Sequence, residues 1–298
     1  MKSVLPLGAT SIELEGALPE SVRAELAGFS LLPCGPGITL SVLSATPARL
    51  EARRGLIASV HGIWELGNEG HSLAVYAREL STEMPVVRFD LEGAEGELRI
   101  APSIPDWALV PAVVSVGLQV LSMRLLAERG GVLLHASGIA CERAILFVGP
   151  SGAGKTTAAR NSRAKATTFC DDRAVVYLDR GGEYRVLASP FQQRSRSVPG
   201  DHPLAALCLL TQALRPRVRE LSRARGVARL ASRAFLPLWD RQAVERSLSF
   251  LGRLARRVPT VDLELADSPS FLALLEPWLC PPTPPSRAAT SVAERGNR

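Results

Sequence analysis

Cysteine, histidine and aromatic residues are scarce in this sequence. The five cysteines, Cys34, Cys141, Cys170, Cys208 and Cys280, are odd in number and form no CxxC pair. That spacing argues against a disulfide framework and against a zinc site. Reduced thiols in a cytoplasmic setting are the simplest reading. The start of the chain, Met1-Lys2-Ser3-Val4-Leu5-Pro6, carries neither the apolar run nor the small-residue cleavage site of a secretory signal. One uncharged apolar stretch, Trp107 to Met123, falls short of the ~20 residues a membrane span needs. Pro111, Ser115, Gly117, Gln119 and Ser122 interrupt it, so it reads as a mostly buried helix, and no membrane association is expected. Excess charge is also small: 35 Lys+Arg against 29 Asp+Glu give +6, enough to favour an acidic substrate without calling for nucleic acid.

The 298 residues are 46% hydrophobic and 21% charged, an ordinary globular composition for one large domain or two modest ones. Residues 1–105 alternate short apolar runs, such as Ile38 to Leu43 and Leu73 to Ala77, with glycine- and proline-bearing turns, which predicts a strand-rich N-terminal region. Residues 106–280 begin with a helix to Arg129, closed by Gly130-Gly131. Strands are predicted over Val132 to His135, Ala144 to Val148, Thr167 to Cys170, Arg173 to Leu178 and Tyr184 to Ala188, the last two joined as a hairpin through Arg180-Gly181-Gly182-Glu183. Helices are expected over Pro203 to about Ala213, Val218 to Phe235 and Arg241 to Arg256, and a strand where Val261, Leu263 and Leu265 alternate with acids. Residues 281–298, proline-rich and polar, are expected to form a disordered tail.

The strongest motif is Gly149-Pro150-Ser151-Gly152-Ala153-Gly154-Lys155-Thr156, a G-x-x-x-x-G-K-[ST] loop with an apolar strand before it and a helix after it. Its glycines let successive backbone N–H groups face phosphate oxygens, and the helix adds the positive end of its dipole. Lys155 is expected to reach the β- and γ-phosphates of a nucleoside triphosphate, and the Thr156 hydroxyl to ligate Mg2+. Asp171-Asp172 follows a short strand sixteen residues past Lys155, at the place where one carboxylate can hold the metal and the other can orient or deprotonate an attacking hydroxyl. Two acids so close also invite one raised pKa. Asp179 ends another apolar strand but precedes a glycine turn, so it reads as a turn residue.

Taken in order, Leu134-His135-Ala136-Ser137-Gly138, the loop from Gly149 to Thr157, and Asp171-Asp172 resemble the catalytic domain of HPr kinase/phosphorylase. They also resemble its kinase-like relatives in lasso-type peptide gene clusters, and ATP-dependent phosphoenolpyruvate carboxykinase shares that nucleotide-binding core. The resemblance spans roughly Gly131 to Leu265. It implies an α/β fold, a P-loop domain of the HPr kinase/PEP carboxykinase-like type behind a strand-rich N-terminal region. It implies further that Asp171 or Asp172 is base and metal partner, and that His135 lies near the transferred phosphate. The sequence departs from HPr kinase at Thr157, where that enzyme usually has an acid, and around Ser189 to Arg194, where its glycine-rich segment would stand.

The expected function is therefore that of an ATP-dependent, serine-kinase-like phosphotransferase acting on a Ser hydroxyl of a protein or peptide. The expected catalytic residues are Asp171, Asp172, Lys155 and His135. Gly149, Ser151, Gly152, Ala153, Gly154, Lys155, Thr156 and Thr157 would bind ATP, and Thr156 with Asp172 would bind Mg2+. A small-molecule kinase and a non-catalytic ATP-binding regulator are the rivals, and a homo-oligomer stays open. Arg194 and Arg196 are candidates for stabilising transferred charge. Seven arginines lie between Arg215 and Arg233, and Arg225, Arg229 and Arg233 have the spacing of one basic helical stripe. No aromatic interleaving accompanies them, so nucleic acid is not the expected partner.

Overall fold

Short strands with one buried face fill the first hundred residues. A computed structural model of the chain describes residues 2–30, 32, 34–44, 56–60, 64–69, 72–77, 85–92, 94–191, 199–266 and 269–279. Arg194, Arg196, Cys280 and the 281–298 tail lie outside the described residues. The strands β1 (Lys2–Pro6), β2 (Ser11–Gly16), β3 (Ile38–Ser44), β4 (Leu56–Val60), β5 (Trp64–Glu69), β6 (Ser72–Ala77), β7 (Val87–Glu92) and β8 (Glu95–Ile100) form one sheet, ordered β1-β2-β3-β8-β7-β6-β5-β4. Ile12, Leu14, Leu40, Val75, Phe89 and Leu98 turn from it into a common apolar core. β2 and β3 run parallel, so α1 (Glu20–Ala27) has to cross between them.

The apolar stretch anticipated as a buried helix is α2, Asp106–Arg129. Gly130, at φ 79°, gives it a left-handed C-terminal stop. Its middle, Pro111–Leu118, widens into π geometry, beginning where the proline lacks the N–H that an α-type bond would use. Among the described residues α2 is the one helix long and apolar enough to cross a membrane, but 78% of its apolar window is buried inside the protein. One apolar cluster runs from the N-terminal sheet through Val113, Val116 and Leu126 of α2 to Leu133, Val175 and Leu187 of the second sheet.

That second sheet contains β9 (Gly131–Ala140), β10 (Ala144–Val148), β11 (Thr167–Cys170), β12 (Arg173–Leu178), β13 (Tyr184–Ala188), β14 (Asp201–Gln212), β15 (Arg217–Glu220), β16 (Ala234–Phe235) and β17 (Thr260–Leu265). The path β10-β9-β12-β13-β14 closes on itself because β14 also pairs with β10, which makes a five-strand ring. α3 (Lys155–Asn161) follows β10, and α4 (Arg223–Ala231), α5 (Arg241–Arg257) and α6 (Leu272–Leu279) cover the sheet. The chain is thus a mixed α/β protein with strand-rich sheets.

Two expected helices are different elements. Pro203 to Ala213 lies almost wholly in strand β14, with β10 and β17 as parallel neighbours. Its Leu-Ala-Ala-Leu-Cys-Leu-Leu run is apolar on both faces because both faces are covered, and a continuous run carries no period to separate strand from helix. Val218 to Phe235 splits into β15, α4 and β16.

The N-terminal sheet packs tightly on α2 at Gly117, where a Cβ would stand 2.4 Å from the Phe89 ring. Gly117→Leu should overpack this contact and cost about 1–3 kcal/mol. Thermal unfolding measures it, and a wild-type midpoint for the variant would show that the sheet and helix are not held at this distance.

Candidate functional site

Strand β9 carries two partners on each edge. On one edge β12 pairs with residues Gly131 to His135 and β11 with Gly138 to Ala140. On the other, β16 pairs with Leu133 and Leu134, and β10 with Ala136 to Ala140. Both edges change partner near residues 135–137. Asp171-Asp172 links β11 to β12 at that level on the first edge. On the second, the glycine loop leaves the end of β10 and Arg233 leads into β16. The Ala136 amide donates to the Asp172 carbonyl at 3.0 Å, and the His135 amide to the Arg233 carbonyl at 2.8 Å. Side chains alternate along a strand, so His135 and Ser137 share a face and each meets one member of the acid pair.

His135 Nε2 lies 2.9 Å from Asp172 Oδ1. Ser137 Oγ donates to Asp171 Oδ1 at 2.6 Å, and Thr156 Oγ1, in the first turn of α3, donates to the same oxygen at 3.1 Å. Asp172 is the acid expected beside Thr156 as a metal pair, and in the structure the carboxylate hydrogen-bonded to Thr156 is that of Asp171. The cause is backbone conformation. Asp172 has φ 83°, the only non-glycine residue in the left-handed region among the described residues. Aspartate tolerates this region better than most residues, and the Ala136 and His135 contacts hold it there. Arg173 follows, with its guanidinium 5.3 Å from the centre of the Phe235 ring, a hydrogen bond to the Phe191 carbonyl, and Nε 3.6 Å from Asp172 Oδ2.

Crowded carboxylates suggest a raised pKa, but Asp172 shifts the other way. Burial pushes it up, while the His135 hydrogen bond and the charges of Arg173, His135 and Lys155 outweigh burial and hold the carboxyl below its ordinary value.

In the glycine loop, Gly152 and Gly154 have φ 78° and 95°. A Cβ at Gly152 would meet nothing, so conformation and not space calls for glycine there. Lys155 is only 7% exposed, and its Nζ donates to the Gly149 and Pro150 carbonyls at 3.0 and 2.9 Å. Burial pulls its pKa below the ordinary lysine value; Asp172 and Asp171 oppose that shift and Arg233 adds to it. Ser151 is exposed at the tip, and Ala153 packs inward with its amide donating to Pro150. Gln212 Nε2 donates to the Gly152 carbonyl at 2.9 Å and ties the tip to the end of β14. Thr157 lines an open cleft of about 400 Å3 with Arg160, Gln212, Ala213 and Leu265. With only seven residues, α3 contributes a modest dipole, so positive charge at the loop rests chiefly on Lys155 and nearby arginines.

Asp179 sits in the β12–β13 turn, where its Oδ1 accepts from the Glu183 amide at 2.9 Å. The basic stripe does not form one solvated face. Arg225 is exposed, Arg229 is bound to Asp262 at 2.8 Å, and Arg233 lies beyond α4 beside His135. Ser137, Arg173, Gln212 and Arg233 were not among the candidate site residues. Only Ser137 had a local signal, its two-residue spacing from His135 in an otherwise apolar strand. Cys34, Cys170 and Cys208 are free thiols, and no group of three or more His, Cys, Asp or Glu gathers as a metal cage among the described residues.

Fold and site together define a mixed α/β protein in which a glycine-rich loop, its lysine and a carboxylate pair meet at one strand junction. Residues 109–272, more than half of the chain, match the family described as SynChlorMet cassette protein ScmC, and the chain belongs to that family. No curated protein matches. This corrects the resemblance to HPr kinase/phosphorylase and its relatives, because the matching family is ScmC and no HPr-kinase-like family matches. A short glycine loop and an acid pair can recur in unrelated families, so a few such residues say little about ancestry.

His135→Ala should let the Asp172 pKa rise toward the usual carboxylate value. A depressed pKa adds stability above the unfolded-state value of about 4 and loses it as pH falls through the native value. The variant should therefore unfold at a higher pH than the wild type during acid titration followed by circular dichroism. Identical acid midpoints would show that His135 does not hold Asp172 down.

Proposed function

We propose that this protein is an ATP-dependent phosphotransferase that moves the γ-phosphoryl group to a hydroxyl, a serine of a protein or peptide. The observation carrying this reading is the meeting of Lys155, Thr156 and Asp171-Asp172 at one junction, beside a loop whose glycines open its backbone to phosphate. Phosphate oxygens are stronger acceptors than the neutral carbonyls that Lys155 now holds, so its ammonium turns to them on binding. The cleft between Thr157, Arg160 and Leu265 adjoins the loop and has room for the nucleoside. Thr156 and Asp171 offer hard oxygen donors that fit Mg2+, which when bound would neutralise phosphate charge.

Asp172 holds the acceptor hydroxyl. The acceptor oxygen bonds to the γ-phosphorus as the bond to the bridging oxygen breaks, and that electron pair leaves on ADP. The acceptor proton passes to Asp172. A carboxylate below its ordinary pKa is ionised at neutral pH and takes the proton late, once the hydroxyl has become acidic. His135 fixes the orientation of that carboxylate.

With γ-labelled ATP, Mg2+ and a host-cell extract, the full chain should label a polypeptide. Lys155→Ala and Asp172→Asn should each lower the rate about a hundredfold or more. Asparagine is chosen because it also tolerates the left-handed backbone at this position. Label found only in small molecules would reassign the acceptor. ATP binding with no transfer to any fraction would make the protein a nucleotide-binding regulator and sink the transferase reading.

A further inference from the structure

Arg233 is a half-buried cation with no ion-pair partner among the described residues. Arg173, which faces His135 from the other edge of β9, is committed to Asp172. The Arg233 carbonyl takes the His135 amide, and Ala234 and Phe235 pair with Leu134 and Leu133, so Arg233 stands opposite His135. Opposed residues of antiparallel strands project from the same face. Phe235, two residues on, agrees, with its ring 6.3 Å from that of His135. Along the same edge of β9, Val148 pairs with Ala136, which brings Gly149 to the same level. Arg233 therefore lies between the start of the glycine loop and the His135–Asp172 pair. Its charge also reaches Lys155 and lowers the lysine's pKa, so an anion bound between the two cations would relieve their repulsion.

We infer that Arg233 binds the terminal phosphoryl group of the nucleotide on its way from the loop to the acceptor. The inference rests on the phosphotransferase reading above. A guanidinium offers a planar fork of donors suited to phosphoryl oxygens, and its charge offsets the charge spread over them during transfer. Arg173 cannot take this part, since its guanidinium is engaged with Asp172, the Phe191 carbonyl and the Phe235 ring. Lys155 and the loop hold the β–γ region, which leaves Arg233 to distinguish a triphosphate from a diphosphate.

Calorimetric titration of the full chain with Mg2+-ATP and with Mg2+-ADP tests this, beside Arg233→Ala, Arg233→Lys and Lys155→Ala. Arg233→Ala should weaken ATP about tenfold or more and ADP less than about twofold, with the thermal midpoint unchanged. Arg233→Lys should recover part of the ATP affinity, because it restores charge without the fork. Lys155→Ala should weaken both nucleotides. Transfer by Arg233→Ala should fall about a hundredfold in kcat. Equal weakening of ATP and ADP, or none, overturns the role of Arg233 while leaving the nucleotide site in place. Failure of the wild type to bind ATP removes the phosphotransferase reading and this inference with it.

Discussion

Everything at the candidate site depends on the change of partners along β9 at residues 135–137. A strand offers amides to its two edges in alternation, and here consecutive amides go to two different links of the chain. His135 donates to Arg233 on one edge and Ala136 to Asp172 on the other. Neither acceptor sits within a regular ladder, because each belongs to a link between or ahead of strands. An irregular link inside a sheet is tolerable only if its backbone groups find partners, and β9 supplies them. The same two bonds bring groups distant in sequence to one place with little freedom.

The charge at that junction is arranged in layers. Asp172 is ringed by His135, Arg173 and Lys155 and is held ionised. Asp171 takes two hydroxyl hydrogen bonds at a single oxygen, from Ser137 and Thr156. The two carboxylates are adjacent in sequence and different in environment, because the left-handed backbone at Asp172 turns its side chain to His135. Environments of this kind are how two like acids can take separate roles.

Much of this was legible from local pattern. The glycine loop, its strand and its helix, the acid pair, the β12–β13 hairpin and α2 all rest on contacts close in sequence, and they lie where periodicity and turn residues placed them. What escaped was non-local. β14 read as a helix because alanine and leucine favour helices in isolation, and only its neighbours β10 and β17 make it a strand. That Thr156 bonds Asp171 and not Asp172 was not legible, because spacing cannot report that Asp172 adopts positive φ. Arg233 read as the third member of a helical stripe because α4 was drawn through to Phe235, whereas the helix ends at Ala231 and the chain turns into β16.

The helix end at Ala231 also explains why one arginine of the apparent stripe differs from the others. Arg225 and Arg229 stay on α4, where water or Asp262 satisfies them. Arg233 is carried by the turn onto the β9 edge, and there the backbone bond to His135 fixes its position independently of its own side chain. A guanidinium placed by the backbone, with no carboxylate anchoring it among the described residues, keeps its hydrogen-bonding capacity for a ligand. On the phosphotransferase reading proposed above, anchoring it to a resident acid would have steadied the side chain but neutralised charge meant for a phosphate. The fold separates the two requirements, taking position from β9 and leaving the charge without an ion-pair partner among the described residues.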